Sequence, residues 1–372
     1  MKKDFKTPMS SIAGSNFFNF RKVAKKYKIE KNHRAKFYKS ITTSAFVTLL
    51  SVFDKIRYQS LKKSFKADDA PIFILGHWRS GTTLLHKLMC LDTKAGYTTT
   101  YHTVFPHNLF GLQGLLKRIM LLIMPTRRPH DGLEIHPDYP QEEEFALANT
   151  TSLSYYHWFY FAKNRKEIFK TLNNWQDLPP QKKKSWFSTY DDLVRRSLIN
   201  TDKKRYVSKN PPNTFRIPQL LALYPNAKFI YIYRNPYEVY PSSFSFFKSV
   251  IKNIGFHDIC DADIKEHVLT VFKELVNKYE KDKKLISEKN LIEIRYEDFI
   301  KSPAAHLENI YGHFDMEVTP FLKNAWELEE AKAKRHKINK TDFDKDLIAE
   351  INIFLEDYIN EKGYALMQEK VS

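Results

Sequence analysis

The segment Pro71–Leu91 constrains the fold more tightly than any other part of the chain. Pro71-Ile72-Phe73-Ile74-Leu75 is an unbroken apolar run, the pattern of a strand buried on both faces of a parallel sheet. Gly76-His77-Trp78-Arg79-Ser80-Gly81-Thr82-Thr83 follows, and Leu84, Leu85, Leu88 and Leu91 then recur at helical spacing. The order is strand, loop, helix. The loop has the frame of a nucleotide P-loop: glycine, four residues, glycine, then hydroxyl residues. In that frame backbone N–H groups at a helix N-terminus cradle phosphate oxygens. Thr82 stands where a triphosphate-binding loop carries the lysine that reaches the β- and γ-phosphates. The ligand implied has a single 5′-phosphate and some group other than a polyphosphate beyond it. Arg79, Ser80, Thr82 and Thr83 would hold that group with one guanidinium and three hydroxyls, Gly81 completing the frame.

The same logic recurs downstream. Lys228-Phe229-Ile230-Tyr231-Ile232-Tyr233 reads as a strand ended by Arg234, with Asn235 as helix cap and Pro236 at the first helical position. Leu291-Ile292-Glu293-Ile294 is a third strand. Strands alternating with helices predict an α/β fold, a central parallel sheet with helices on both faces. Ligands of such sheets bind at the carboxyl ends of the strands. Arg234 sits at one such end and Ser242 on the helix that follows, a pair suited to a phosphate dianion. Pro241 disfavours an α conformation for Tyr240 and removes a helix hydrogen bond. The helix is therefore expected to begin late or kink there, with Ser243 as the fallback for Ser242. Residues 1–70 read as a basic, mainly helical arm: Lys and Arg recur through Arg21–Lys39, and Ala45, Leu49, Leu50 and Phe53 follow in a helical apolar pattern. The break Ala67-Asp68-Asp69-Ala70-Pro71 separates this arm from a single domain over 71–372.

A chain of 372 residues, 42% hydrophobic, can bury the core of one large α/β domain. Its formal net charge of +17 suggests an anionic ligand or surface. Two cysteines, Cys90 and Cys260, make no disulfide framework and lack metal-ligand spacing. No apolar run follows the basic N-terminus, so a reducing, cytoplasmic setting is expected. Thr43–Phe53 and Leu115–Met124 are too short or too charge-broken to span a bilayer, although the second fits a membrane-touching or channel helix.

Ile74–Leu85 resembles the 5′-phosphosulfate-binding loop of the PAPS-dependent sulfotransferase family, in its bacterial branch. Tyr233–Ser243 is similar to that family's 3′-phosphate motif. The resemblance extends from about Pro71 to Lys340. It implies a P-loop-like sheet, PAPS (3′-phosphoadenosine-5′-phosphosulfate) as donor, PAP as product, and a small-molecule hydroxyl acceptor. It assigns Arg79, Ser80, Gly81, Thr82 and Thr83 to the 5′ end, and Arg234 and Ser242 to the 3′-phosphate. Cytosolic members usually carry Lys at the place of Arg79; Arg offers a fixed fork instead of a movable ammonium. Val207–Pro212 is similar to another segment of the branch and implies that Lys209 contacts the transferring sulfuryl group. Arg295-Tyr296-Glu297-Asp298 resembles a family segment that reads as a structural clamp. Arg335-His336-Lys337 resembles the late basic loop that closes over the nucleotide, which adds His336 and Lys337.

Transfer to an alcohol needs a base for the hydroxyl proton. Pro140-Gln141-Glu142-Glu143-Glu144-Phe145-Ala146-Leu147 opens a helix, where acidic residues also suit the dipole. The branch carries an acidic cluster here. Glu142 is the first choice, sharing a helical face with Phe145, Ala146 and Asn149. Glu144, on a face with Leu147, Ala148 and Thr151, is second. His136 is third, because cytosolic members use a histidine. The chemistry is an in-line displacement in which Arg79 and Lys209 stabilise the leaving phosphate and the sulfuryl oxygens. A sulfuryl group carries less charge than a phosphoryl group, and no metal-ligand cluster is visible, so no metal is expected. The apolar segments Leu115–Met124 and Tyr155–Phe161 beside the base point to a sterol, lipid alcohol or phenol, while the aromatic run also fits a plain core. Two rivals are a small-molecule kinase, disfavoured by the missing loop lysine, and a basic protein that binds nucleic acid or membrane surface. No aromatic RNA-binding motif is present, so no nucleic-acid partner is expected, whereas transient membrane-surface contact stays open. Oligomeric state is not encoded in these motifs.

Overall fold

Runs of apolar residues without a break become the inner strands. The computed structural model describes residues 10–127, 132, 134–333 and 345–367. Its strands are β1 (Ile72–Leu75), β2 (Ala95–Gly96), β3 (Arg205–Lys209), β4 (Lys228–Tyr233) and β5 (Leu291–Arg295), in the order β2-β3-β1-β4-β5. β4 runs parallel to β1, with Ile74 opposite Ile230, and parallel to β5, with Tyr231 opposite Glu293. Every residue of β1 is buried, as are Phe229–Ile232 of β4, which is what continuous apolar strands predict. The expected strands over 71–75, 228–233 and 291–294 thus form within a residue of their expected bounds. β3 is a strand that no apolar run announces, and Lys209 is buried at its end.

The helices that matter below are α1 (Phe17–Tyr27), α2 (Arg34–Ser64), α3 (Thr82–Met89), α4 (Gln113–Ile123), α5 (Glu143–Thr150), α6 (Pro180–Thr201) and α7 (Pro236–Ile254). The described residues fall into two compact units. The first lies within Met1–Asp68, Gly96–Ser208 and Phe246–Ile264, and the second within Asp69–Ala95, Lys209–Ser245 and Lys265–Ser372.

In the first unit the N-terminal helices are packed elements. The Asn16 side chain caps α1 by accepting from the Phe18 N–H at 3.0 Å, and the Ser44 hydroxyl donates to the Ser15 carbonyl at 2.6 Å. Asp54 of α2 is fully buried, accepts from the Phe110 and Gly111 N–H groups, and pairs with Arg196 of α6 at 3.0 Å. The aromatic run Tyr155–Phe161 is buried throughout, so the core reading of that segment holds. In the second unit the Tyr231 and Tyr279 rings stack at 3.5 Å, and the Trp326 indole donates to the Leu88 carbonyl at 2.9 Å. These contacts fix the sheet and α3, and through them the loop between β1 and α3.

Candidate active site

The loop after β1 owes its shape to backbone conformations that few residues adopt. Gly76 and Gly81 have φ of 137° and 96°, and Arg79 has φ of 69°. A Cβ on Gly76 would lie 2.3 Å from the Ile232 carbonyl oxygen, and one on Gly81 2.2 Å from the Tyr296 ring. Neither position tolerates a side chain. The Gly76 N–H donates to the Thr214 hydroxyl at 3.0 Å, and the Ser80 hydroxyl donates to the His77 carbonyl at 2.6 Å. Ser80 therefore closes the loop with its only hydroxyl proton. His77 is buried and stacked on Phe272 at 4.4 Å; burial lowers its pKa to about 4, so the imidazole is neutral at pH 7. The fixed cation of the loop is Arg79. α3 begins at Thr82 with Gly81 as its cap, so the first N–H groups of the helix open at the loop.

Arg79 and Arg234 meet at this loop. The Arg79 Nε donates to the Ser242 hydroxyl at 2.9 Å, and the Arg234 Nη1 donates to the Arg79 carbonyl at 3.2 Å. The Arg234 guanidinium lies over the Tyr296 ring, 4.5 Å from its centroid, and 3.6 Å from the Glu238 carboxylate. Its own carbonyl accepts from the Tyr358 hydroxyl at 2.9 Å. Glu297 accepts from the Asn235 N–H at 2.8 Å and from the Tyr364 hydroxyl at 2.9 Å. The segment Arg295–Asp298, read from sequence as a clamp, thus places Tyr296 between Gly81 and Arg234 and ties Glu297 to the start of α7. Sequence reasoning did not single out Tyr296 or Thr214 as shaping the loop.

α7 corrects one expectation. Asn235 caps it as foreseen, its side chain accepting from the Tyr237 N–H at 3.0 Å and its carbonyl from Glu238 and Val239 N–H at 3.1 Å each. The helix then runs from Pro236 through Pro241 without a late start. Ser242, not the fallback Ser243, meets Arg79; Ser243 is buried and donates to the Trp78 carbonyl at 3.3 Å. Thr82 is buried and Thr83 half-buried at the start of α3. Lys209 is buried at the end of β3. His336 and Lys337 lie outside the described residues.

The acidic turn belongs to the other unit and is organised by side chains. Glu142 precedes the helix: it is the cap of α5 in an extended conformation, not a member of the helical face with Phe145, Ala146 and Asn149. It is 7% exposed and accepts a short hydrogen bond from the Tyr156 hydroxyl, while Phe145 packs edge-on against Tyr156 at 4.6 Å. Glu144 is fully buried and accepts from the Ser154 hydroxyl at 2.8 Å and the Tyr155 N–H at 2.7 Å, the bonds of a structural carboxylate. Glu143, passed over in the sequence, is equally buried and accepts from the Tyr190 and Ser208 hydroxyls. His136 is 43% exposed at the surface, 3.6 Å from the Asp138 carboxylate. One carboxylate–imidazole trio that no spacing revealed, Glu30, His33 and Asp258, comes together from distant segments, but Lys163 already pairs with Glu30 and His33 with Asp258.

A model of the sulfotransferase family matches residues 71–320. The chain belongs to the sulfotransferase family. The curated omega-hydroxy-beta-dihydromenaquinone-9 sulfotransferases Stf3 of Mycobacterium bovis and Mycobacterium tuberculosis are each 31% identical to it over 248 residues. That match covers 67% of this chain and 63% of those relatives, a little under two thirds of their length. Among solved structures, sulfotransferase STF9 from Mycobacterium avium superposes with a TM-score of 0.68 at 14% identity, covering 99% of this chain and 100% of that one. Sulfotransferase STF1 from Mycobacterium tuberculosis gives 0.63 at 18% identity over 85% and 88%. These likenesses establish the sulfotransferase fold, with its P-loop-like sheet, for a chain whose two arginines meet at the loop of that sheet.

Proposed function

We propose that the chain transfers a sulfuryl group from PAPS to the hydroxyl of an apolar alcohol, lipid alcohols foremost. The observation that carries this reading is the convergence of Arg79, Ser242 and Arg234 on a glycine loop whose lysine position is Thr82. Arg234 and Ser242 take the 3′-phosphate, and the α3 N-terminus with Arg79, Thr82 and Thr83 takes the 5′-phosphosulfate. As the acceptor oxygen bonds to sulfur, the bond from sulfur to the 5′-phosphate oxygen breaks and its electron pair leaves with PAP. The hydroxyl proton passes to Glu142, whose carboxylate sits at the cap of α5 and accepts from the Tyr156 hydroxyl. Arg79 and the Lys209 ammonium neutralise charge on the leaving phosphate and the sulfuryl oxygens, so the step calls for no metal.

For the acceptor, the support is the curated relative named for an omega-hydroxylated menaquinone, a lipid alcohol. The aromatic run Tyr155–Phe161 no longer contributes, because it is core. The test is incubation of the full chain with PAPS and a panel of hydroxylated quinones, fatty alcohols, sterols, phenols and oligosaccharides, with product and PAP measured by mass spectrometry. Sulfated lipid alcohol with one PAP released per product supports the reading. Turnover of oligosaccharides alone would overturn the acceptor class, and tighter binding of ATP than of PAP would overturn the donor.

A further inference from the structure

α2 is built inside out. Its buried line is Ser40, Ser44, Val47, Ser51, Asp54 and Tyr58, small or polar at most positions. Its exposed line is Phe46, Leu49, Val52, Phe53 and Ile56, each more than half exposed. The spacing 46, 49, 53, 56 is a single helical stripe, so the apolar face of this helix turns to solvent. α4 adds a second such face. Leu116 and Met120 of α4 bury into the same cluster as Val47 and Tyr58 of α2, while Leu115, Ile119 and Leu122 lie outside at 54%, 42% and 79% exposure. The two helices are adjacent where Gly111, just before α4, lies against Phe53 and Asp54 of α2, and where Arg57 donates to the Phe110 carbonyl at 2.8 Å. Both outward stripes lie on these adjacent helices of the first unit, and exposed apolar stripes of this kind mark an interaction surface.

The charges around these stripes select their partner. α2 and α4 together carry nine Lys and Arg and one acid, Asp54, which is buried and paired with Arg196. Lys39 and Lys55 are exposed beside the α2 stripe, and Arg118 is exposed between Leu115 and Leu122 on α4. A second copy of this face would bring like charges together. An interface of acyl chains beneath anionic headgroups matches both the apolar stripes and their basic surround. Among the described residues no helix is long and apolar enough to cross a membrane, so the fitting mode is lying on the surface.

We propose that the outward faces of α2 and α4 dock the protein on anionic lipid bilayers. This stands apart from the identity of the acceptor, since vesicles without any acceptor suffice to test it. The experiment is flotation of the full chain with phosphatidylcholine vesicles, with and without phosphatidylglycerol. Wild type is expected to float with the anionic vesicles, to be released by raised salt, and to stay behind with phosphatidylcholine alone. Leu49→Glu with Phe53→Glu, and separately Leu122→Glu, should each weaken partitioning by ~10-fold with unchanged melting temperature, because these side chains are already exposed. Wild type that ignores anionic vesicles, or variants that float as wild type does, would overturn the proposal. So would a wild-type dimer that these substitutions turn into a monomer without any vesicle binding, or binding to RNA in place of vesicles that the same substitutions abolish.

Discussion

The loop after β1 and the acidic turn before α5 are both polar clusters set in apolar surroundings, and they are held in opposite ways. The loop takes its form from main-chain conformation at Gly76, Arg79 and Gly81 and from hydrogen bonds to carbonyls. The acidic turn takes its form from side chains, each carboxylate accepting from a particular phenol, hydroxyl or N–H. A site shaped by its backbone can lose a charged side chain and keep its geometry. A site shaped by paired carboxylates loses both together, unless the carboxylate is the one at the margin. Glu142, outside the helix, is that one; Glu144 is not.

Five outcomes would sharpen or break this contrast, the largest effect first. Glu142→Gln should keep the Tyr156 hydrogen bond yet remove the base, lowering turnover by roughly 10²–10³-fold with PAP affinity unchanged. Near-normal single-turnover rates in this variant would hand the role to another group. Arg234→Ala should reduce PAP affinity by about 10²-fold in calorimetric titration while the melting temperature hardly moves. If affinity survives, the 3′-phosphate assignment fails; if the fold collapses, the loop is not backbone-shaped. Glu144→Ala leaves the Ser154 hydroxyl and the Tyr155 N–H without their carboxylate, and should cost roughly 3 kcal/mol in denaturant unfolding. An unshifted unfolding midpoint there would free Glu144 for catalysis. His136→Ala, at a surface position, should change turnover by less than about twofold; a large loss would restore the histidine as base. Exhaustive EDTA treatment should change nothing, and activity lost to chelation but restored by Mg²⁺ would contradict the neutralising roles given to Arg79 and Lys209.

The same contrast explains what could be read from the chain. The loop and its strands were legible because a phosphate-binding loop is local: glycine spacing, an apolar run and a cap fix it within one short segment. The partners of the acidic turn lie at Tyr156, Tyr190 and Ser208, and nothing near Glu142–Glu144 announces them, so Glu143 was passed over and Glu142 was set on a helical face. β3 was missed because Arg205–Lys209 holds only two apolar residues, Tyr206 and Val207, between charged ends, and only burial within the fold makes it a strand. α2 teaches a different limit. The periodicity at Ala45, Leu49 and Phe53 correctly gave a helix, but period alone does not say which face turns inward; Asp54 took the core because Phe110, Gly111 and Arg196 supplied partners for it, and Ser44 because the Ser15 carbonyl accepts its hydroxyl. Pro241 does not delay the start of α7, which begins at Pro236 and continues through it.

Arg79 holds a left-handed backbone with a long side chain, which residues other than glycine, asparagine or aspartate seldom do. Relaxing that conformation by Arg79→Gly would release on the order of 1 kcal/mol of strain. It would also delete the guanidinium that meets Ser242, although the carbonyl that receives Arg234 would remain. Robustness and competence are thus opposed at one residue: a screen for heat-resistant variants would favour glycine there, and a screen for turnover would reject it.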